Sequence, residues 1–173
     1  ALFLAHRSRC ILADDMGLGK TIQAMAAVEL MAQERNLERV LVVTPASLKF
    51  QWVEEIRKFT SRQVQVIDGS EKERENAYST PTFYRIVNYD VVKHDLLKLN
   101  AWEPDLIILD EAQRIKNWEA ETTREVKKLK SKFAFVLTGT PLENRLEFRA
   151  RGVGLLDRHT EGAVLGHRAA AAG

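Results

Sequence analysis

Six short runs rich in apolar and β-branched residues punctuate the chain, at positions 10–13, 40–43, 64–67, 85–87, 106–109 and 134–137. They are continuous rather than alternating, which predicts parallel strands buried on both faces. Helical patterns lie between them. Residues 21–34 are rich in Ala, Met, Gln and Glu, all good helix formers. Leu48, Trp52, Ile56 and Phe59 fall four, four and three apart and form one apolar stripe. Residues 71–77 and 91–99 predict shorter helices. Residues 120–130 predict a charged helix with Val126 and Leu129 on its buried side. Strand and helix alternate along the chain, the order of an α/β domain with a parallel sheet and right-handed crossovers.

The pattern lapses near residue 148. From Arg149 onward there are five of the nine glycines and no lysine, against eleven lysines before it. Residues 148–173 therefore read as a tail, either a flexible extension or the non-native end of a truncated or frameshifted gene product. Residues 1–147 form the expected domain, a length that suits one core.

Composition narrows the class. A chain with 45% hydrophobic and 29% charged residues is globular in type. No apolar run approaches the ~20 residues a membrane-spanning helix needs, so no membrane partner is expected. The start lacks the basic and small-residue pattern of a secretory leader, and it lacks an initiator Met. Cys10 is the only cysteine, which excludes an internal disulfide and fits an intracellular, reducing setting. The net charge of +2 resides in the tail, because the residues up to Phe148 carry 22 basic and 22 acidic groups. Any contact with nucleic acid must come from a local patch rather than a global field.

Two segments carry chemistry. The first is Asp14-Asp15-Met16-Gly17-Leu18-Gly19-Lys20-Thr21, between a predicted strand and a predicted helix. Gly17 and Gly19 let the backbone wrap phosphate oxygens with its amides turned inward, and the helix adds its positive end. Lys20 would reach the β and γ phosphates of ATP, and Thr21 would place its hydroxyl on Mg²⁺. The strict pattern has a Gly where Asp14 stands. The second segment is Leu106-Ile107-Ile108-Leu109-Asp110-Glu111-Ala112-Gln113, four apolar residues running into two acids. Ligands of open α/β sheets bind at the carboxyl ends of strands. There Asp110 would hold Mg²⁺, through water, and Glu111 would act on the attacking water as general base. Two acids in this place could equally cap a helix. The phosphate loop about ninety residues upstream favours the catalytic reading.

Together these residues resemble the Swi/Snf-like ATPases of helicase superfamily two. Asp14 to Gln23 resembles that family's first motif, and the family tolerates an acid at position 14. Thr44-Pro45-Ala46-Ser47-Leu48 with Gln51-Trp52 resembles its next motif. Asn88-Tyr89-Asp90 resembles a short DNA-contact segment, and Asp110-Glu111-Ala112-Gln113 the acidic motif, where many members have His at the last position. Leu137-Thr138-Gly139-Thr140-Pro141-Leu142-Glu143-Asn144 matches the coupling motif. Five motifs fall in family order.

The resemblance implies a RecA-like lobe with the Thr138 strand between the phosphate-loop strand and the Asp110 strand. It implies a nucleotide site that also takes in Asp15, Met16, Leu18 and Gln113, and a coupling element at Thr138, Gly139 and Thr140. It implies sequence-independent duplex DNA contacts at Thr44, Ser47, Lys49, Asn88 and Tyr89. It ends near Arg145, where the family continues into a second RecA-like lobe whose arginines complete the ATP site. Comparable arginines are worth ~10³–10⁵ in rate, so the 173 residues alone are expected to hydrolyse ATP poorly. The alternatives are a strand-separating helicase lobe, a non-catalytic truncated product and, more remotely, a metabolite kinase. In a bacterium the setting would be the nucleoid, in a eukaryote the nucleus.

Overall fold

A computed structural model describes residues 9–13, 19–112, 120–139 and 164–165. The six expected strands form: β1 (Arg9–Ala13), β2 (Val40–Thr44), β3 (Val64–Val66), β4 (Tyr84–Asn88), β5 (Leu106–Leu109) and β6 (Phe133–Thr138). Five helices lie between them: α1 (Lys20–Arg35), α2 (Lys49–Phe59), α3 (Glu71–Tyr78), α4 (Tyr89–Ala101) and α5 (Ala120–Val126). A two-residue strand, β7 (Val164–Leu165), pairs with β1 at Ile11 and Leu12. The sheet order is β3-β4-β2-β5-β6-β1-β7, and every pairing is parallel. This is the RecA-like α/β lobe that the pattern and the resemblance implied, with β6 between β1 and β5.

Strand side chains alternate between the two faces. Leu12, Val42, Ile108 and Phe135 pack on one side with Met25, Val28 and Met31 of α1 and Trp52 and Ile56 of α2. Leu41, Val43, Ile107 and Val136 pack on the other with Val92 and Leu99 of α4 and Val126 of α5. Both faces are covered, so β2 and β5 are buried along their whole length. Each large aliphatic side chain so enclosed contributes about 1.5–3 kcal/mol.

Two local expectations are corrected. The last predicted helix ends at Val126, not at position 130. Beyond it, Lys128 N–H and Leu129 N–H close tight turns onto Glu125 and Val126. Asn100 of α4 then pins the chain: its amide donates to the Lys128 carbonyl at 3.0 Å and accepts the Lys130 N–H at 2.9 Å. Those two backbone groups are lost to any further helix, while Leu129 stays buried as the pattern required. The α2 stripe also stops short. Trp52 and Ile56 are buried, but Phe59 at the helix end is 49% exposed. Among the described residues no helix is long and apolar enough to cross a membrane.

Candidate nucleotide site and DNA-facing rim

The parallel registers align the carboxyl ends of five strands. Ala13 of β1 lies beside Thr138 of β6, Leu109 of β5 beside Val136 of β6 and Val43 of β2, and Thr44 of β2 beside Asn88 of β4. The start of α1, with Gly19, Lys20 and Thr21, follows β1 onto this rim, and Asp110 follows β5 onto it. One strand separates β1 from β5, which sets them about 10 Å apart. Two hollows elsewhere, one of about 410 Å³ walled by Arg9 and Lys127–Ser131 side chains and one of about 520 Å³ beside β3, lie away from this rim.

α1 begins as an anion site would. Gly19 has φ +71° and ψ 29°, the left-handed region open to glycine, and among the described residues no side-chain hydrogen bond caps the helix start. The first turn of a helix has N–H groups without helical partners and the positive end of the dipole. A Cβ on Gly19 would meet nothing within 4 Å among the described residues. Lys20 is 9% exposed at this helix start, and Thr21 is half-buried.

Asp110 is 7% exposed. Its Oδ2 accepts the Trp52 indole N–H at 2.8 Å and the Thr44 hydroxyl at 3.0 Å. Its Oδ1 accepts the Glu111 N–H at 2.9 Å. All three donors are neutral, and no cation pairs with this carboxylate among the described residues. Buried carboxylates are normally paired or hold a metal. Of about four acceptor positions on a carboxylate, one, on Oδ1, is left. This donor set fits Mg²⁺, which is usually held by one or two carboxylates together with substrate phosphates rather than by a protein cage. Glu111 follows with φ +50°, a conformation uncommon for a side-chain-bearing residue and typical of functional sites. Thr138, 3% exposed, ends β6 between the two motifs, and Gly139 follows it.

The structure redistributes the residues expected to touch DNA. Ser47 is exposed in a 3₁₀ turn ahead of α2. Asn88 is half-buried and caps α4 by accepting the Val91 N–H at 2.9 Å. The side chains of the other three are buried and hold internal partners. Thr44 is wholly buried against Asp110. Tyr89 is wholly buried, its hydroxyl donating to the Asp110 carbonyl at 2.6 Å, and burial raises its pKa well above the ordinary phenol value. Lys49 is 3% exposed and ion-paired with Asp68, whose carboxyl that hydrogen bond holds below the usual range. Asp15, Met16, Gly17, Leu18, Gln113 and Thr140 lie outside the described residues. Trp52 was legible as an apolar helix position and as part of a motif, but not as a partner of Asp110. A buried indole N–H requires an acceptor, and that rule was the available sign of a polar role.

An αL glycine opening a helix beside a buried, uncompensated carboxylate on the rim of a parallel sheet defines the phosphate-loop class of α/β nucleotide-binding lobes. Residues 3–150 match the SNF2-related domain family, and the chain belongs to it as the N-terminal lobe of a Swi/Snf-like ATPase. It is 37% identical over 139 residues to an ATP-dependent helicase of Mycoplasma genitalium, covering 79% of this chain and 14% of that protein. It is 35% identical over 153 residues to the DNA repair and recombination protein RAD54B of Gallus gallus, covering 83% and 17%. The Sulfolobus solfataricus SWI2/SNF2 ATPase core, solved in complex with double-stranded DNA, superposes with a TM-score of 0.74 at 34% identity, covering 84% of this chain and 31% of that one. The chain thus spans less than a fifth of these two curated relatives.

Proposed function

We propose that this chain is the ATP-binding lobe of a motor that couples ATP hydrolysis to movement along duplex DNA. The observation that carries the reading is the shared rim: the Gly19–Thr21 helix start and the Asp110 carboxylate open on one side of the sheet, separated only by β6. ATP with Mg²⁺, when bound, supplies the phosphoanhydride to be cleaved and the cation that neutralises developing charge. The α1 amides and Lys20 would hold its phosphates. Thr21 and Asp110 would hold the cation. Glu111, adjacent to Asp110, would orient water and accept its proton. Thr138, at the end of the strand between, and Gly139 after it would report the state of the γ-phosphate to a second lobe.

Duplex DNA would lie over the β2 and β4 ends, gripped at Ser47 and at Asn88. Such contacts hold phosphates without reading bases, as a sequence-independent motor requires. Support comes from the Sulfolobus core, which was solved with double-stranded DNA. Such a motor works inside the cell, where the DNA is.

The test is nucleotide binding by the 173-residue chain with Mg²⁺ and in EDTA, followed by a steady-state ATPase assay with and without duplex DNA. Binding that strengthens with Mg²⁺ and is lost in Lys20→Ala and Asp110→Asn is expected. Turnover near background is expected, because the arginines that complete the site belong to the second lobe. Binding indifferent to Mg²⁺ and to both substitutions would overturn the assignment. Robust DNA-stimulated turnover by these residues alone would overturn the two-lobe requirement.

A further inference from the structure

The side chain of an aspartate turns about a broad terminal torsion, so a lone carboxylate does not stay in one orientation. Asp110 is not free to turn. Two donors grip Oδ2, the Trp52 indole at 2.8 Å and the Thr44 hydroxyl at 3.0 Å, while the Glu111 amide takes one position on Oδ1. Rotating the carboxylate would break both Oδ2 bonds together, in a place where Thr44 and Trp52 are 0% and 2% exposed and water cannot replace them. We propose that Trp52, with Thr44, is the positioning residue of the nucleotide site. By holding Oδ2 it fixes Oδ1 as the oxygen turned to Mg²⁺ and ties the carboxylate to the DNA-facing turn. The inference rests on the function proposed above.

The second half of the proposal follows from chain order. Thr44 ends β2, Trp52 lies one turn into α2, and exposed Ser47 sits in the turn between them. The segment is fastened to one carboxylate oxygen at both ends, with its DNA-facing residue in the middle. The other DNA-facing segment is fastened to the same residue, because Tyr89, next to Asn88, donates to the Asp110 carbonyl at 2.6 Å. A phosphate drawn onto Ser47 or Asn88 therefore loads groups bonded directly to Asp110. Neither Trp52 nor Thr44 need touch DNA or nucleotide to link the two.

The experiment titrates a fluorescent ATP analogue into the 173-residue chain, with Mg²⁺ and in EDTA, for wild type and Trp52→Phe. Phe keeps most of the buried ring and removes the donor. The expected result is an affinity gain from Mg²⁺ that shrinks about tenfold, the scale of one hydrogen bond to a charged group, with affinity in EDTA unmoved. A purely structural role would weaken both conditions in parallel, and that outcome overturns the proposal. Thr44→Val and Thr44→Ser give an independent arm should Trp52→Phe not fold: Val should reproduce the loss and Ser, which keeps the hydroxyl, should restore the gain. Val and Ser behaving alike overturns the proposal. If wild type gains nothing from Mg²⁺, the proposed function falls and this inference with it. If wild type gains and the donor-free variants gain equally, only this inference falls.

Discussion

Replacing Gly19 with Ala sets two ordinary effects against each other, and the structure decides the sign. At a position whose backbone an L side chain can adopt, Gly→Ala stabilises a protein by about 0.4–1 kcal/mol, because the unfolded chain has less freedom to lose. Gly19 is not such a position, with φ +71° and ψ 29°. There a Cβ crowds its own carbonyl, at about 1–2 kcal/mol for a residue other than Gly. No outside neighbour among the described residues adds to this, since the Cβ would meet nothing within 4 Å. The net expectation is a loss of about 1 kcal/mol, or roughly 2–4 °C in melting temperature for a domain of this size. Asn tolerates the left-handed region better than Ala, so Gly19→Asn should lose less, the reverse of their helix propensities. Urea unfolding of the three proteins provides the measurement. An Ala variant more stable than wild type, with Asn the least stable of the three, would refute the backbone argument.

Two further expectations concern groups outside the site. Asp95, 4% exposed, accepts Arg74 at 2.7 and 3.1 Å and Tyr78 at 3.1 Å. Burial raises its pKa, but the Arg74 and Tyr78 bonds outweigh it, so its carboxyl titrates below the usual range. A depressed carboxyl stabilises the fold fully above its unfolded pKa of about 3.9 and ceases to as pH falls through its folded value. Asp95→Asn should therefore cost about 3 kcal/mol at neutral pH and flatten the loss of stability below about pH 4; acid limbs of equal slope would count against it. Cys10 is wholly buried, and burial pushes its thiol up to about 12. It should resist a thiol reagent at pH 8 in the native chain and react fully in denaturant; rapid native labelling would contradict the burial.

What the sequence shows well is whatever one stretch of chain decides. Apart from β3, the half-buried edge strand, the predicted strands are apolar runs enclosed by both layers, and such a run declares itself without knowledge of its neighbours. The first turn of α1 is equally local, because Gly19, Lys20 and Thr21 are adjacent. The features that were misjudged depend on distant partners. The end of α5 is set by Asn100, 28 residues from the Lys128 carbonyl it binds. The pairing of β7 with β1 joins positions 164 and 11, and no pattern near either announces it.

The same distinction explains the rim. Thr44, Lys49 and Tyr89 are residue types that bind phosphate well on a surface, and motif resemblance placed them next to DNA. Their side chains are instead buried on internal partners, and burial is a property of the assembled sheet. Asp110 gathers its partners from 66, 58 and 21 residues away, through Thr44, Trp52 and Tyr89. Strand order makes that convergence unavoidable: β2 lies directly beside β5, so the residue ending β2 and the helix it launches must border the acid that follows β5. β4 lies beside β2, which brings Tyr89 to the same place from the other face. A sheet with β2 and β4 removed from β5 could keep every motif in sequence and still leave Asp110 unsupported. The order of strands, rather than the list of motifs, therefore joins the proposed DNA-facing surface to the proposed nucleotide site in this lobe.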